Sequence, residues 1–180
     1  MIKKIFIITG PVQSGKTTFL MDLFKDRLDT DGFLCPDFDN RRFFFDLDTK
    51  ELKEFEVSDE SAPTDLTRIG KFVFRSEIFT TAKMKIENAR HKVKSFFIVD
   101  EIGKLELKDQ GLEPELYKLL HSQSLVNTIL ILVVRDYLLE AVIRKYGLNT
   151  ADSNKHNILN TSVLKEKLLI FLNKKWPRYP

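Results

Sequence analysis

The sequence predicts an α/β fold: a mainly parallel sheet flanked by helices, with antiparallel strands added to it. Short continuous apolar runs at residues 5–8, 96–99 and 129–134 are rich in β-branched residues and Phe, as strands covered on both faces are. Apolar positions of helical period lie between and after these runs. Residues 32–57 read differently, because Phe43, Phe45 and Leu47 alternate at period two, and an antiparallel insertion or sheet extension is expected there.

Taken in order, the first run is followed by a helix whose apolar face holds Phe19, Leu20, Leu23, Phe24 and Leu28. Phe43, Phe45 and Leu47 then alternate with other positions ahead of a hairpin turn at Asp48-Thr49-Lys50. A polar loop with Pro63 spans residues 58–67, and a strand over residues 70–74 leads into a helix starting near Ser76. Ile78, Ala82, Ile86, Ala89 and Val93 give that helix its buried face. After the third run, Asp136 is placed to cap a helix carrying Leu138, Leu139, Val142, Ile143 and Tyr146, with Gly147 at its end. Residues 149–157 turn polar, and Leu164, Leu168, Leu169 and Leu172 suggest a closing helix before Trp176-Pro177.

The 180 residues show no composition shift or repeat, so one domain over residues 1–180 is expected. A net charge of +3 is too small to imply nucleic-acid binding by itself. Cys35 is the single cysteine and has neither a disulfide partner nor a C-x-x-C spacing, which suits a reducing compartment. The longest apolar run, residues 129–134, is far below the ~20 residues of a membrane span. A cytoplasmic protein is the expectation.

The chemistry is announced by Gly10-Pro11-Val12-Gln13-Ser14-Gly15-Lys16-Thr17, which matches G-x-x-x-x-G-K-[ST] between a predicted strand and a predicted helix. Glycines let backbone N–H groups close around a β-phosphate, and the helix N-terminus adds positive potential. Lys16 is assigned to the β- and γ-phosphates, Thr17 to Mg²⁺, and Thr18 to the nucleotide-binding set that starts at Gly10. Asp100 and Glu101 stand where the second apolar run ends, at the sheet edge where α/β folds bind ligands. Asp100 is read as the Mg²⁺-side acid and Glu101 as the base that orients and deprotonates an attacking water. Arg135 ends the third run and emerges at the same edge, a candidate to stabilise the transferring phosphoryl; Lys104 has similar status.

Residues 9–18, Ile69-Gly70-Lys71-Phe72 and above all Val99-Asp100-Glu101-Ile102-Gly103-Lys104-Leu105-Glu106-Leu107 resemble the THEP1-type nucleoside-triphosphatases. The resemblance implies a RecA-like P-loop NTPase fold with added antiparallel strands, and Mg²⁺-dependent hydrolysis of ATP, GTP and other nucleoside triphosphates. The chain departs from the family pattern in three places. It has Gly32-Phe33-Leu34-Cys35 for a Gly-Phe-Tyr-Thr stretch, Arg42-Phe43-Phe44-Phe45 for Arg-x-Gly-Phe, and Asn154-Lys155 for an Asn-Arg pair. Asn154 is kept as a nucleotide-contact candidate.

Two other readings share the phosphate site. A P-loop kinase would pass the γ-phosphate to a small molecule or a nucleic-acid end, with the hairpin shaping the acceptor site. A switch module would bind nucleotide and signal to a partner without appreciable turnover. Lys83, Lys85, Arg90, Lys92 and Lys94 are read as a solvated face rather than a nucleic-acid surface. His91, His121 and His156 lack metal-ligand spacing.

Overall fold

The computed structural model describes residues 4–57, 65–92, 94–123, 125, 127–148 and the backbone of residues 156–160. Its first half contains β1 (Lys4–Gly10), α1 (Lys16–Phe24), β2 (Thr30–Leu34), β3 (Asp37–Phe38), β4 (Arg41–Asp46), β5 (Leu52–Glu54) and β6 (Glu56–Val57). There follow β7 (Leu66–Ile69), β8 (Phe72–Arg75), α2 (Ser76–Asn88), β9 (Phe96–Ile102), α3 (Glu115–His121), β10 (Ile129–Arg135), α4 (Leu139–Tyr146) and β11 (His156–Asn160).

The apolar runs become neighbouring parallel strands. Five strands lie parallel in the order β11-β1-β10-β9-β2, and β4 extends that sheet antiparallel beyond β2 while pairing with β3 and β5. Strands β6, β8 and β7 make a separate antiparallel sheet. Strand periodicity then sorts the side chains into two layers. Ile5, Ile7, Phe97, Val99, Leu130 and Leu132 pack on the side of α2, α3 and α4, whereas Phe6, Ile8, Phe96, Ile98, Ile131 and Val133 pack with Leu20 and Phe24 of α1. Burying each large apolar side chain stabilises by about 1.5–3 kcal/mol, and a one-residue slip would exchange the two faces, so the register is strongly specified.

Gly32 marks the closest approach in this sheet. Its φ is +98°, and a Cβ there would fall 2.0 Å from the Ile98 carbonyl oxygen on β9. Only glycine lets β2 lie against β9 in this way, and that pairing brings the antiparallel extension up to the sheet edge.

Several expectations change. The first helix ends at Phe24, so Leu28 is 85% exposed as the chain turns toward β2. Among the β4 phenylalanines the buried one is Phe44, with Phe43 and Phe45 half-buried, because Phe44 stacks on Phe33 of β2. Gly70 sits in the turn between β7 and β8 rather than inside a strand. Asp136 opens a 3₁₀ turn, Asp136–Leu138, and its carboxylate accepts from the Tyr137 N–H, so α4 begins at Leu139; Gly147 does end it, at φ 61°. Helix α3 and strand β11 were not anticipated, β11 lying in what reads as a polar stretch. Val93 and the expected closing helix lie outside the described residues.

Candidate functional site

Strand β1 delivers the chain to the sheet edge, and residues 11–15 form an exposed loop there before α1 starts. Gly15 holds the helix N-cap in the left-handed region at φ 80°, a conformation that costs glycine nothing. Lys16 then turns back into the loop: its ammonium donates to the Gly10 carbonyl at 2.9 Å, the Pro11 carbonyl at 2.6 Å and Ser14 Oγ at 3.3 Å. Burial lowers its pKa, against the opposing charges of Glu101 and Asp100. Val12 is exposed at the crown, Gln13 has φ 60°, and Thr18 points outward from the first turn of α1.

The remaining groups arrive from neighbouring strands. Arg135 pairs in register with Gly10, which sets it beside the loop. The β9–β10 register advances two residues on β10, Leu132 to Val134, but three on β9, Val99 to Ile102. This extra residue falls at Asp100 and Glu101, whose peptide bond is cis, and bulges of this kind re-aim side chains next to active sites.

Asp100 is 2% exposed, and its Oδ2 accepts from Thr17 Oγ1 at 2.9 Å and from the Cys35 N–H at 3.0 Å. The Cys35 thiol donates to the Asp100 carbonyl at 3.0 Å. Burial, with the neighbouring Glu101 charge, pushes the Asp100 carboxyl up to about 6. A carboxylate so deeply placed is short of positive charge, which is what a cation site needs.

Glu101 turns the other way, into ion pairs with Arg42 of β4 and Arg135 of β10. Burial alone would raise its pKa, but the Arg135 hydrogen bond and the two guanidinium charges hold it below the usual carboxylate range. The same contact raises the Arg135 pKa. As it stands Glu101 is ionised and fully engaged, so proton abstraction from water requires the arginines to exchange it for another anion.

The structure therefore joins Lys16, Thr17, Asp100, Glu101 and Arg135 in one cluster and adds members that sequence reasoning missed. Arg42 was noted only as part of a departing stretch; its role depends on β4 lying beside β2, which lies beside β9. Cys35, read as a packed small residue, is a double hydrogen-bond partner of Asp100. Glu106, in the most distinctive sequence stretch, is 4% exposed and accepts from the N–H groups of Gly103 at 2.8 Å and Leu112 at 3.1 Å. It ties down the loop after β9. Lys104 instead stands over the Tyr137 ring, 5.9 Å from its centroid. Asn154 lies outside the described residues.

Three of the five basic side chains on and after α2 are held in ion pairs within the chain. Lys85 pairs with Asp31 and Asp46, Lys92 with Asp31 and Asp48, and Lys94 with Asp48. Among the described residues no helix is long and apolar enough to cross a membrane.

Asp100, Glu101 and Arg135 also line a cavity of about 320 Å³. Arg42, Arg135 and Lys104 stand along it, and Phe33, Phe44, Phe55, Phe74 and Phe79 give it apolar walls. The Ile69-Gly70-Lys71-Phe72 turn also contributes.

A glycine-bearing loop closing onto a helix N-terminus, backed by a hydroxyl–carboxylate pair at the end of a parallel strand, defines a P-loop nucleotide-binding fold. The NTPase family model matches residues 5–164, and the chain belongs to this THEP1-like family of P-loop NTPases. Among solved structures it is similar to THEP1 from the hyperthermophile Aquifex aeolicus, at 18% identity and a TM-score of 0.59, over 93% of this chain and 98% of that one. The two share the mostly parallel, helix-flanked RecA-like sheet. No curated protein sequence matches the chain.

Proposed function

We propose that the chain, as one domain over residues 1–180, hydrolyses nucleoside triphosphates, ATP and GTP among them, to the diphosphate and phosphate with Mg²⁺. The observation that carries this reading is the 2.9 Å contact between Thr17 at the start of α1 and buried Asp100, with Glu101 next in the chain. Among the described residues no three His, Cys, Asp or Glu side chains cluster as a metal cage. One hydroxyl and one carboxylate are instead what Mg²⁺ takes from a protein when phosphate oxygens and water complete its shell. Thr17 and Asp100 would hold the ion, which when bound neutralises charge on the β- and γ-phosphate oxygens.

The protein's own groups divide the remaining work. Backbone N–H groups of residues 10–18 and the α1 terminus bind the phosphates. Lys16 exchanges the Gly10 and Pro11 carbonyls for phosphate oxygens, at little cost because its buried ammonium already lacks hydration. Arg135 and Arg42 shift toward the γ-phosphate and release Glu101, which orients the attacking water and takes its proton. In this reading the arginine clamp keeps the base idle until a polyanion arrives.

The test is phosphate release from a panel of nucleoside triphosphates with Mg²⁺ and with a chelator. Release that depends on Mg²⁺ supports the reading; tight nucleotide binding without release would return the switch reading.

A further inference from the structure

The cavity of about 320 Å³ has far more room than a single attacking water takes. Its volume sits at the small end of ligand pockets, enough for a one- or two-ring molecule but not for a whole nucleotide. Phe33 and Phe44 stack with ring centroids 5.0 Å apart, and Phe55 packs on Phe74 at 4.7 Å and on Phe79 at 5.1 Å. Phe33, Phe44 and Phe74 are buried in these contacts, so half-buried Phe55 and Phe79 present the open aromatic surface, which favours a flat apolar partner.

The polar end of the cavity carries the groups that would act on a phosphoryl group: Glu101, Arg42 and Arg135 line it, together with Asp100. Lys71 and Lys104 also line the cavity, without an ion pair among the described residues; Lys71 lies over the Phe72 ring and Lys104 over Tyr137. No residue of the phosphate loop lines the cavity.

That arrangement separates two possible occupants. With Thr17 and Asp100 holding the ion at the β- and γ-phosphates, the γ-phosphate lies near Asp100, which lines the cavity, and the nucleobase lies at the other end of the nucleotide, beyond the phosphate loop. A ring in the cavity is therefore a second molecule, with its polar end at Glu101.

We propose that the cavity is an acceptor site for a small aromatic alcohol, such as a nucleoside or a hydroxymethyl heteroaromatic, and that the chain phosphorylates its hydroxyl. The proposal rests on the assignment of the triphosphate site. The acceptor oxygen bonds to the γ-phosphorus as the bond from that phosphorus to the bridging oxygen breaks. The nucleoside diphosphate leaves with the bonding pair, and the hydroxyl proton passes to the Glu101 carboxylate. With the cavity vacant, water takes the acceptor's place and the outcome is hydrolysis.

The test incubates the full chain with Mg²⁺ and γ-labelled ATP plus a panel of nucleosides, hydroxymethyl-pyridines, hydroxymethyl-pyrimidines and aryl alcohols. Labelled organic product from one or more of them is expected. Ala82→Phe, which fills the cavity from α2, should lower the ratio of labelled acceptor to labelled phosphate at least tenfold. Phe72→Ala, at a partly exposed hairpin turn and so tolerant of change, should raise the acceptor KM several-fold. Label found only in inorganic phosphate across the panel would overturn the acceptor site while leaving NTP hydrolysis intact. A higher KM for ATP in Ala82→Phe would also overturn it, by making the cavity a base pocket. Absence of all label transfer would remove the hydrolase reading together with this one.

Discussion

Replacing Glu101 by Gln removes one charge and almost no volume, at a carboxylate held between two guanidinium groups. Side-chain exposure is 21% for Glu101, 25% for Arg42 and 26% for Arg135, so the pairs are sheltered without being dry. A charge-assisted hydrogen bond contributes about 1.5–3 kcal/mol when removed, but the amide keeps one acceptor oxygen and solvent screens the rest. The expected loss of stability is about 1 kcal/mol, or roughly 2–4 °C in Tm for a chain of this size. Loss of a positioned base costs about 10²–10⁴ in rate, which is ~2.7–5.4 kcal/mol of barrier. Nucleotide affinity should hold or improve, because Arg42 and Arg135 no longer have a competing anion. The assay pairs Mg²⁺-dependent phosphate release with calorimetric binding of a non-hydrolysable triphosphate and a thermal melt. A kcat within about threefold of wild type, in a variant that binds and melts as expected, would remove Glu101 as the base.

Three further outcomes follow from other contacts. Arg42→Ala and Arg135→Ala should each lower kcat more than they weaken binding, by about 10²–10³ as for a single transition-state donor; equal loss in kcat and affinity would make them simple binding groups. Gly32→Ala should destabilise by more than ~3 kcal/mol, because the Cβ meets the Ile98 backbone and φ is positive, and a normal chemical-denaturation midpoint would contradict the sheet register. Asp48 is held down to about 2 by Lys92 and Lys94, so its contribution is present above the unfolded value near 3.8 and is lost as pH falls toward 2. Asp48→Asn should therefore cost about 1 kcal/mol at neutral pH, after solvent screening, and only a small fraction of that near pH 2, which parallel urea melts at the two pH values would reveal.

What was legible in the sequence was local. The phosphate loop is eight consecutive residues between a strand and a helix, so its residues needed no tertiary knowledge to be placed. Asp100 and Arg135 were readable because each ends an apolar run, and parallel strands end at a common edge. Arg42 was not, because it reaches Glu101 from 59 residues away, and only the order β9-β2-β4 puts it there. Helix α3 did leave a signal, Leu116, Leu119 and Leu120 at helical spacing, but its seven residues make a weak pattern. Strand β11 offered only Ile158 and Leu159 between asparagines, too little apolar sequence to stand out from the polar stretch around it. Glu106, the third acid of the distinctive stretch, had no role legible in the sequence, because its partners are backbone N–H groups that only the folded loop brings to it.

The central claim, that triphosphate hydrolysis runs through this loop and this acid pair, is met most directly by a single-turnover experiment. Excess purified chain is mixed with γ-labelled ATP and Mg²⁺, wild type beside Lys16→Ala. The account predicts label appearing in inorganic phosphate with wild type and at least a hundredfold more slowly with the variant, since the ammonium now resting on Gly10 and Pro11 is the one that must reach the phosphates. Equal rates in the two proteins, or no release by wild type, would contradict it.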